Sequence, residues 1–169
     1  MTLSTLDLAL VEEAVRKSGL IWVRGTGVDR ALWHAWVDGA AYVVGGGPGE
    51  QPLPGLADGG AVVVTVRSKD KGGRLLAWTA RAEEVTPTDP RWEPAVAELK
   101  GKRLNSPDTE TMTARWAREC RVLRLEPFSV DTEGPTHALA AEPLPSPATT
   151  RRPAPAGLPK LLLKRRRRS

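Results

Sequence analysis

Between Leu20 and Glu83 the apolar positions fall into five short runs separated by glycine, aspartate or clustered charge. The runs are Leu20 to Val23, Ala31 to Val37, Ala41 to Val44, Ala61 to Val66 and Arg74 to Ala82. Each is rich in β-branched or aromatic residues, which suit a pleated, half-buried surface. Asp38-Gly39 divides the second run from the third, and this pair favours a two-residue hairpin turn because both central positions need positive φ. In the fifth run Leu76, Trp78, Ala80 and Ala82 alternate with Thr79, Arg81 and Glu83, so one face is predicted to meet the core and the other water. The pattern predicts an antiparallel barrel with one long connection among its strands.

Around the strands the period changes to that of a helix. Residues 4 to 18 read as an amphipathic helix: Ser4 with Asp7 three positions on makes a capping-box-like start, Leu8, Val11 and Val15 share a face, and Gly19 is a stop. Asp89-Pro90 opens a second helix at a position where proline's missing donor costs nothing, and Trp92, Val96 and Leu99 follow at helical spacing. Ser106-Pro107-Asp108 is a candidate start for a third, through Trp116. From Glu119 to Leu125 the apolar positions suit a closing strand or a continued helix. The fold class expected is mainly β with flanking helices (α+β), built on a six-stranded antiparallel barrel over residues 1 to 127.

Beyond Pro127 the composition shifts to Pro, Ala, Thr and Arg, and Phe128 is the last aromatic residue. Such a segment buries too little apolar surface to offset its ordering entropy, so residues 128 to 169 are expected to be a disordered tail. The tail also resolves the charge balance. It carries 8 basic and 3 acidic residues of the chain's 25 and 20, which leaves 17 of each in the body. The net +5 therefore describes the tail, and no basic face for nucleic acid follows for the domain. The terminal LPKLLLKRRRRS reads either as a tether to nucleic acid or an anionic membrane, or as an extension without a role.

A single cysteine, Cys120, excludes an intramolecular disulfide framework and argues against a thiolate metal cage. The first 19 residues place Asp and two Glu among the apolar positions and lack a leading basic region, unlike a secretory signal. No apolar run approaches the roughly 18 residues of a spanning helix. A soluble, cytoplasmic protein is expected.

The order helix, three strands, long connection, two-stranded hairpin, helix and closing strand resembles the pyridoxamine 5′-phosphate oxidase-like split β-barrel family. The pieces that carry the resemblance are VDGAAYVV at Val37 to Val44, AVVVTVRSKDKGGRLLAWTARAEEV at Ala61 to Val85 and RVLRLEP at Arg121 to Pro127. The resemblance implies a homodimer holding FMN, or in some members heme or a deazaflavin, in clefts shared by both subunits, with oxidoreductase activity in part of the family. It also places phosphate ligands at the ends of the second and third strands and in the segment that follows. Here that segment, Gly45 to Gly55, contains no basic residue. The amides of Gly45, Gly46 and Gly47 are the candidates for a phosphate nest there, with a flexible turn as the other reading. Arg67 and Ser68 at the next hairpin offer a bidentate donor and a hydroxyl to an anion, with Lys69 and Thr65 as lesser candidates.

Four tryptophans, Trp22, Trp33, Trp36 and Trp78, lie on strands and suit a core, a dimer interface or the wall of a flat-ligand pocket, and Trp36 is the candidate for ring contact. His34 is open to three readings: general acid, heme ligand or satisfied, partly buried histidine. No metal is assigned, His137 lies in the tail, and no catalytic residue is identified. Three functions compete: a flavin-binding split barrel, a cofactor-free dimeric binding module on the same barrel, and a passive domain with a polybasic tether.

Overall fold

The computed structural model describes residues 3–69, 73–103 and 105–131. Helix α1 (Thr5–Lys17) opens on Ser4, whose hydroxyl accepts the Asp7 N–H at 3.1 Å and donates to its carboxylate at 2.6 Å. The strands follow as β1 (Ile21–Arg24), β2 (Arg30–Leu32), β3 (Ala35–Val37), β4 (Ala40–Gly45), β5 (Ala61–Arg67) and β6 (Arg74–Val85). Then come α2 (Trp92–Lys102), α3 (Met112–Glu119) and β7 (Arg121–Asp131). All pairings are antiparallel, in the order β2-β1-β5-β6-β7-β4-β3. The sheet curls into a half-barrel flanked by helices.

Its two faces carry two cores. Ile21, Val23, Val62, Val64, Val66, Trp78, Ala80, Leu123 and Leu125 point inside the curl, which α1 covers with Val11 and Val15. On the other face α2 and α3 lay Trp92, Val96, Leu99, Met112 and Trp116 against Tyr42, Val44 and Val122. Strand β4 is buried along its whole length because Ala41 and Val43 serve the first core while Ala40, Tyr42 and Val44 serve the second. That is why its sequence reads as an unbroken apolar run rather than an alternation. The β3–β4 turn is the expected hairpin, with Asp38 at φ 44° and Gly39 at φ 78°.

Three expectations are corrected. The run Ala31 to Val37 is two strands, so the sheet has seven rather than six. β2 pairs with β1 at one edge of the sheet and β3 with β4 at the other, so the chain must leave strand geometry at Trp33-His34 to cross between them. The third helix begins at Met112, after turns over 107–111. The closing strand continues past Pro127 to Asp131, pairing Ser129, Val130 and Asp131 with Thr79, Trp78 and Ala77. Phe128 is the extra residue of a bulge there, and a bulge is where a strand tolerates the missing donor of Pro127. The rest of the expected tail, residues 132–169, lies outside the described residues, and so does His137.

The connection from Gly46 to Gly60 is no loose turn. Leu53 and Leu56 enter the inner core, the Gly55 carbonyl accepts the Thr26 N–H at 3.1 Å, and Asp58 accepts the Glu84 N–H at 2.8 Å.

Candidate functional site

A cleft of about 480 Å³ opens where the last turn of α1, the Trp33-His34 break and the end of α2 meet. This volume falls within the range of small-molecule sites. The break supplies Trp33 and His34, followed by Trp36 from β3. α1 supplies Val15 and Arg16, and α2 brings Glu98, Lys102 and its C-cap Arg103. Three cations thus line the space against one carboxylate. The counter-charges of two of them, Glu12 on Arg16 at 2.7 Å and Glu50 on Arg103 at 3.2 Å, do not line it. Lys102 makes no ion pair among the described residues. Trp33 is half-buried and packs its ring 6.3 Å from that of Trp116, tilted by 41°. An apolar aromatic wall beside a cationic rim is the arrangement that takes a planar anion.

His34 forms the floor and is only 6 % exposed. Its Nε2 lies 2.9 Å from the Val15 carbonyl oxygen, so the neutral ring donates there and ties the break to α1. Nδ1 is buried without a hydrogen-bond partner. Burial holds the imidazole below its ordinary pKa, opposed by the Val15 and Leu32 backbone and assisted by nearby Lys102. With one nitrogen occupied and the other enclosed, His34 is a buried structural histidine, and the geometry fits neither a heme ligand nor a general acid.

The candidates read from the sequence do not converge. Trp33, His34 and Trp36 line the cleft, the last largely core with 6 % exposure, while the anion-binding candidates lie elsewhere. Arg67 lies 4.0 Å over the Trp22 ring and 3.4 Å from the Asp29 carboxylate, while the Ser68 N–H closes the hairpin onto Gly73. The Gly46 N–H donates to the Gln51 carbonyl at 2.9 Å, and Gly47 lies close against the Glu119 carbonyl and Cys120. The run is packed onto the chain around it and forms no open nest. Arg67 pairs with Arg74 at the start of β6, whereas Gly45 sits on β7 opposite Arg121, beside the far end of β6. That is roughly 36 Å of strand at ~3.3 Å per residue. One protomer cannot present both groups to one phosphate. Thr65 faces the side of the sheet that carries Trp22, and Lys69 follows the hairpin strand.

What the sequence reading missed is the segment Glu50-Gln51. The Glu50 carboxylate has no exposed side-chain surface, and it accepts Arg103, Arg115 at 2.9 Å and the Trp116 indole N–H at 3.1 Å. A charged residue inside a glycine- and proline-rich connection was the available signal. Among the described residues no cluster of His, Cys, Asp or Glu is placed to hold a metal ion, and no helix is long and apolar enough to cross a membrane.

No family model and no curated protein sequence matches the chain. Among solved structures the chain is similar to the heme storage protein HutZ from Vibrio cholerae, at 13 % identity and a TM-score of 0.49, over 77 % of this chain and 96 % of that one. It is also similar to the conserved protein Rv2991 from Mycobacterium tuberculosis, at 13 % identity and a TM-score of 0.46, over 76 % and 86 % of the two chains. At this level the likeness concerns the course of the backbone and carries no chemistry.

Proposed function

We propose that the chain is a small-molecule-binding split-barrel protein of the pyridoxamine 5′-phosphate oxidase-like type, whose ligand is a planar anion of the flavin class held in the cleft at the Trp33-His34 break. The observation that carries the reading is the cleft itself: an indole wall and a cationic rim around a space of about 480 Å³. Trp33 and the edge of Trp36 would hold the ring, and Lys102 with Arg103 and Arg16 the anionic group. FMN, when bound, supplies hydride and electron chemistry that side chains lack. The protein's share is position and charge. A second copy belongs to this reading, covering the outer face of β1, β5 and the first half of β6, over which none of the described helices packs.

Titration with FMN, riboflavin and hemin, followed by tryptophan fluorescence and visible absorption, tests it. FMN is expected to bind more tightly than riboflavin, and Lys102→Glu to weaken FMN by roughly tenfold or more, the scale of a lost charged hydrogen bond. Preference for hemin would replace the ligand. Binding of none favours the cofactor-free module, a reading supported by the engaged Gly46 amide and by the lack of a basic residue from Gly45 to Gly55.

A further inference from the structure

Two walls of the cleft are set by neighbouring residues that do not line it. Gln51 reaches across to the break in the β2–β3 run and treats Trp33 as a strand would. Its Oε1 accepts the Trp33 N–H at 2.9 Å, and its Nε2 donates to the Trp33 carbonyl at 3.0 Å and to the Val44 carbonyl at 3.0 Å. Both backbone groups of Trp33 are thus satisfied by one side-chain amide where none of the described strands pairs, and the backbone that carries the indole is held in place beside the cleft. Glu50, one residue earlier, fixes the other wall. Its buried carboxylate accepts Arg103 Nε at 3.2 Å, while the Gly49 carbonyl accepts Arg103 Nη2 at 3.1 Å. These two contacts restrain the plane of the guanidinium. The same carboxylate takes the Trp116 indole N–H, and Trp116 backs Trp33. The pair is itself held by the β4 end, since the Gln51 carbonyl accepts the Gly46 N–H at 2.9 Å.

We infer that Glu50 and Gln51 are positioning residues that give the cleft selectivity for a ligand joining a flat ring to an anionic group, Gln51 acting through Trp33 on the ring and Glu50 through Arg103 on the anion. The inference rests on the reading of the cleft as a flavin-class site. It separates two effects that a merely structural role would blend. Replacing the Glu50 carboxylate by an amide removes the charge that grips Arg103 but keeps an oxygen for the Trp116 indole N–H, so it loosens chiefly the anion wall, whereas loss of the Gln51 amide loosens chiefly the ring wall.

The test uses the full chain with Glu50→Gln, Glu50→Asp and Gln51→Leu, and it has a ligand-free arm and a ligand arm. Without ligand, the Arg103 Nε–H resonance is expected to be protected from exchange in the parent and in Glu50→Asp, and to exchange fast in Glu50→Gln. Acrylamide quenching is expected to rise in Gln51→Leu, and that rise to vanish when Trp33→Phe is added. With ligand, Glu50→Gln should weaken FMN by roughly tenfold while riboflavin changes less than about twofold, and Gln51→Leu should weaken both by a similar factor. An unchanged Arg103 resonance together with unchanged quenching overturns the positioning roles whatever binds. Equal losses for FMN and riboflavin in Glu50→Gln overturn the division of labour. Where the ligand-free arm gives the expected changes and the parent binds neither flavin, the positioning roles stand and the flavin-class reading of the cleft fails. If Glu50→Gln does not fold, Glu50→Asp carries the ligand arm, with a partial loss of FMN affinity and none of riboflavin affinity expected, and the quenching of Gln51→Leu carries the ligand-free arm.

Discussion

Gly45, Gly46 and Gly47 each need to be glycine for a reason of their own, and none of the reasons is a phosphate. A Cβ at Gly45 would stand 2.1 Å from the Gln51 carbonyl oxygen, and one at Gly47 would stand 2.4 Å from the Glu119 carbonyl oxygen. Gly46 sits between them at φ 81°. The run lets the connection turn off β4 and lie against the start of β7 at backbone distance. Gly45→Ala is therefore expected to destabilise the domain by about 1–3 kcal/mol in urea unfolding, the usual scale of overpacking, whereas Gly73→Ala, with nothing within 4 Å of the new methyl, should lie near the parent. His34 makes a second prediction at this scale. Its folded pKa is lowered by burial, so the unfolded chain binds the proton more readily, and stability is full above about 6.5 and falls as the pH drops through that value toward the folded pKa. Lys102, Arg16 and Glu98 share its cleft, and the nearby lysine charge acts in the same direction as burial. His34→Gln should flatten the change in unfolding free energy between pH 7 and pH 5, and an equally steep change in the variant would assign it to other groups.

At the scale of elements, β7 shows how far sequence signals reach. Its last residues, Ser129 to Asp131, pair with β6, Val130 packs on the inner core, and Asp131 lies 3.5 Å from Arg74. A chain ending at Pro127 is expected to be less stable than one ending at Asp131 by on the order of 2 kcal/mol, about 1 kcal/mol for each hydrogen bond of the lost ladder. Equal unfolding midpoints for the two would mean that these residues add nothing. Pro127 and the falling aromatic content disguised this strand, because the bulge that accommodates the proline is specified by β6, some 50 residues earlier. The elements governed by local chemistry were legible: the Ser4 cap, the Asp38-Gly39 turn, the alternation of β6 and the buried stripe of α2. The break at Trp33-His34 was not. It contains neither glycine nor proline, and what satisfies it is the amide of Gln51, 18 residues away. The cleft was hidden for the same reason, since its walls come from α1, the break and α2, and although Trp33, His34 and Trp36 each stood out in sequence, nothing there joined them to Arg16, Lys102 and Arg103. Arg67 and Ser68 were conspicuous in sequence, yet the hairpin that exposes them lies at the wrong end of β6 for the glycines.

For the whole molecule, the open question of surface is the outer side of β1, β5 and β6. Trp22, Thr65 and Ala77 are register partners there, and Arg24, Val63 and Thr79 form the next row. The inner residues of β5, Val62, Val64 and Val66, are buried, while Val63, Thr65 and Arg67 between them remain half-buried. The described helices do not relieve this exposure, because α1 meets β6 from the inner side, with Val11 and Val15 in the core of Trp78 and Ala80, and α2 packs toward β3 and β4. A row of β-branched side chains beside an indole that carries its own guanidinium stack is a flat, weakly charged face, the kind that a two-fold partner can meet with the same residues. The proposed second copy is expected to dock here. Thr65 is its most direct probe, being central on β5, half-buried and turned away from the inner core, so that an arginine there projects outward without disturbing the packing beneath. In light scattering at micromolar concentration the parent chain should have twice the protomer mass and Thr65→Arg the protomer mass, with the two unfolding at similar denaturant concentration once extrapolated to low protein. A parent that stays monomeric removes the second copy and leaves the cleft to work within one protomer, while a dimer that survives Thr65→Arg moves the interface to another face.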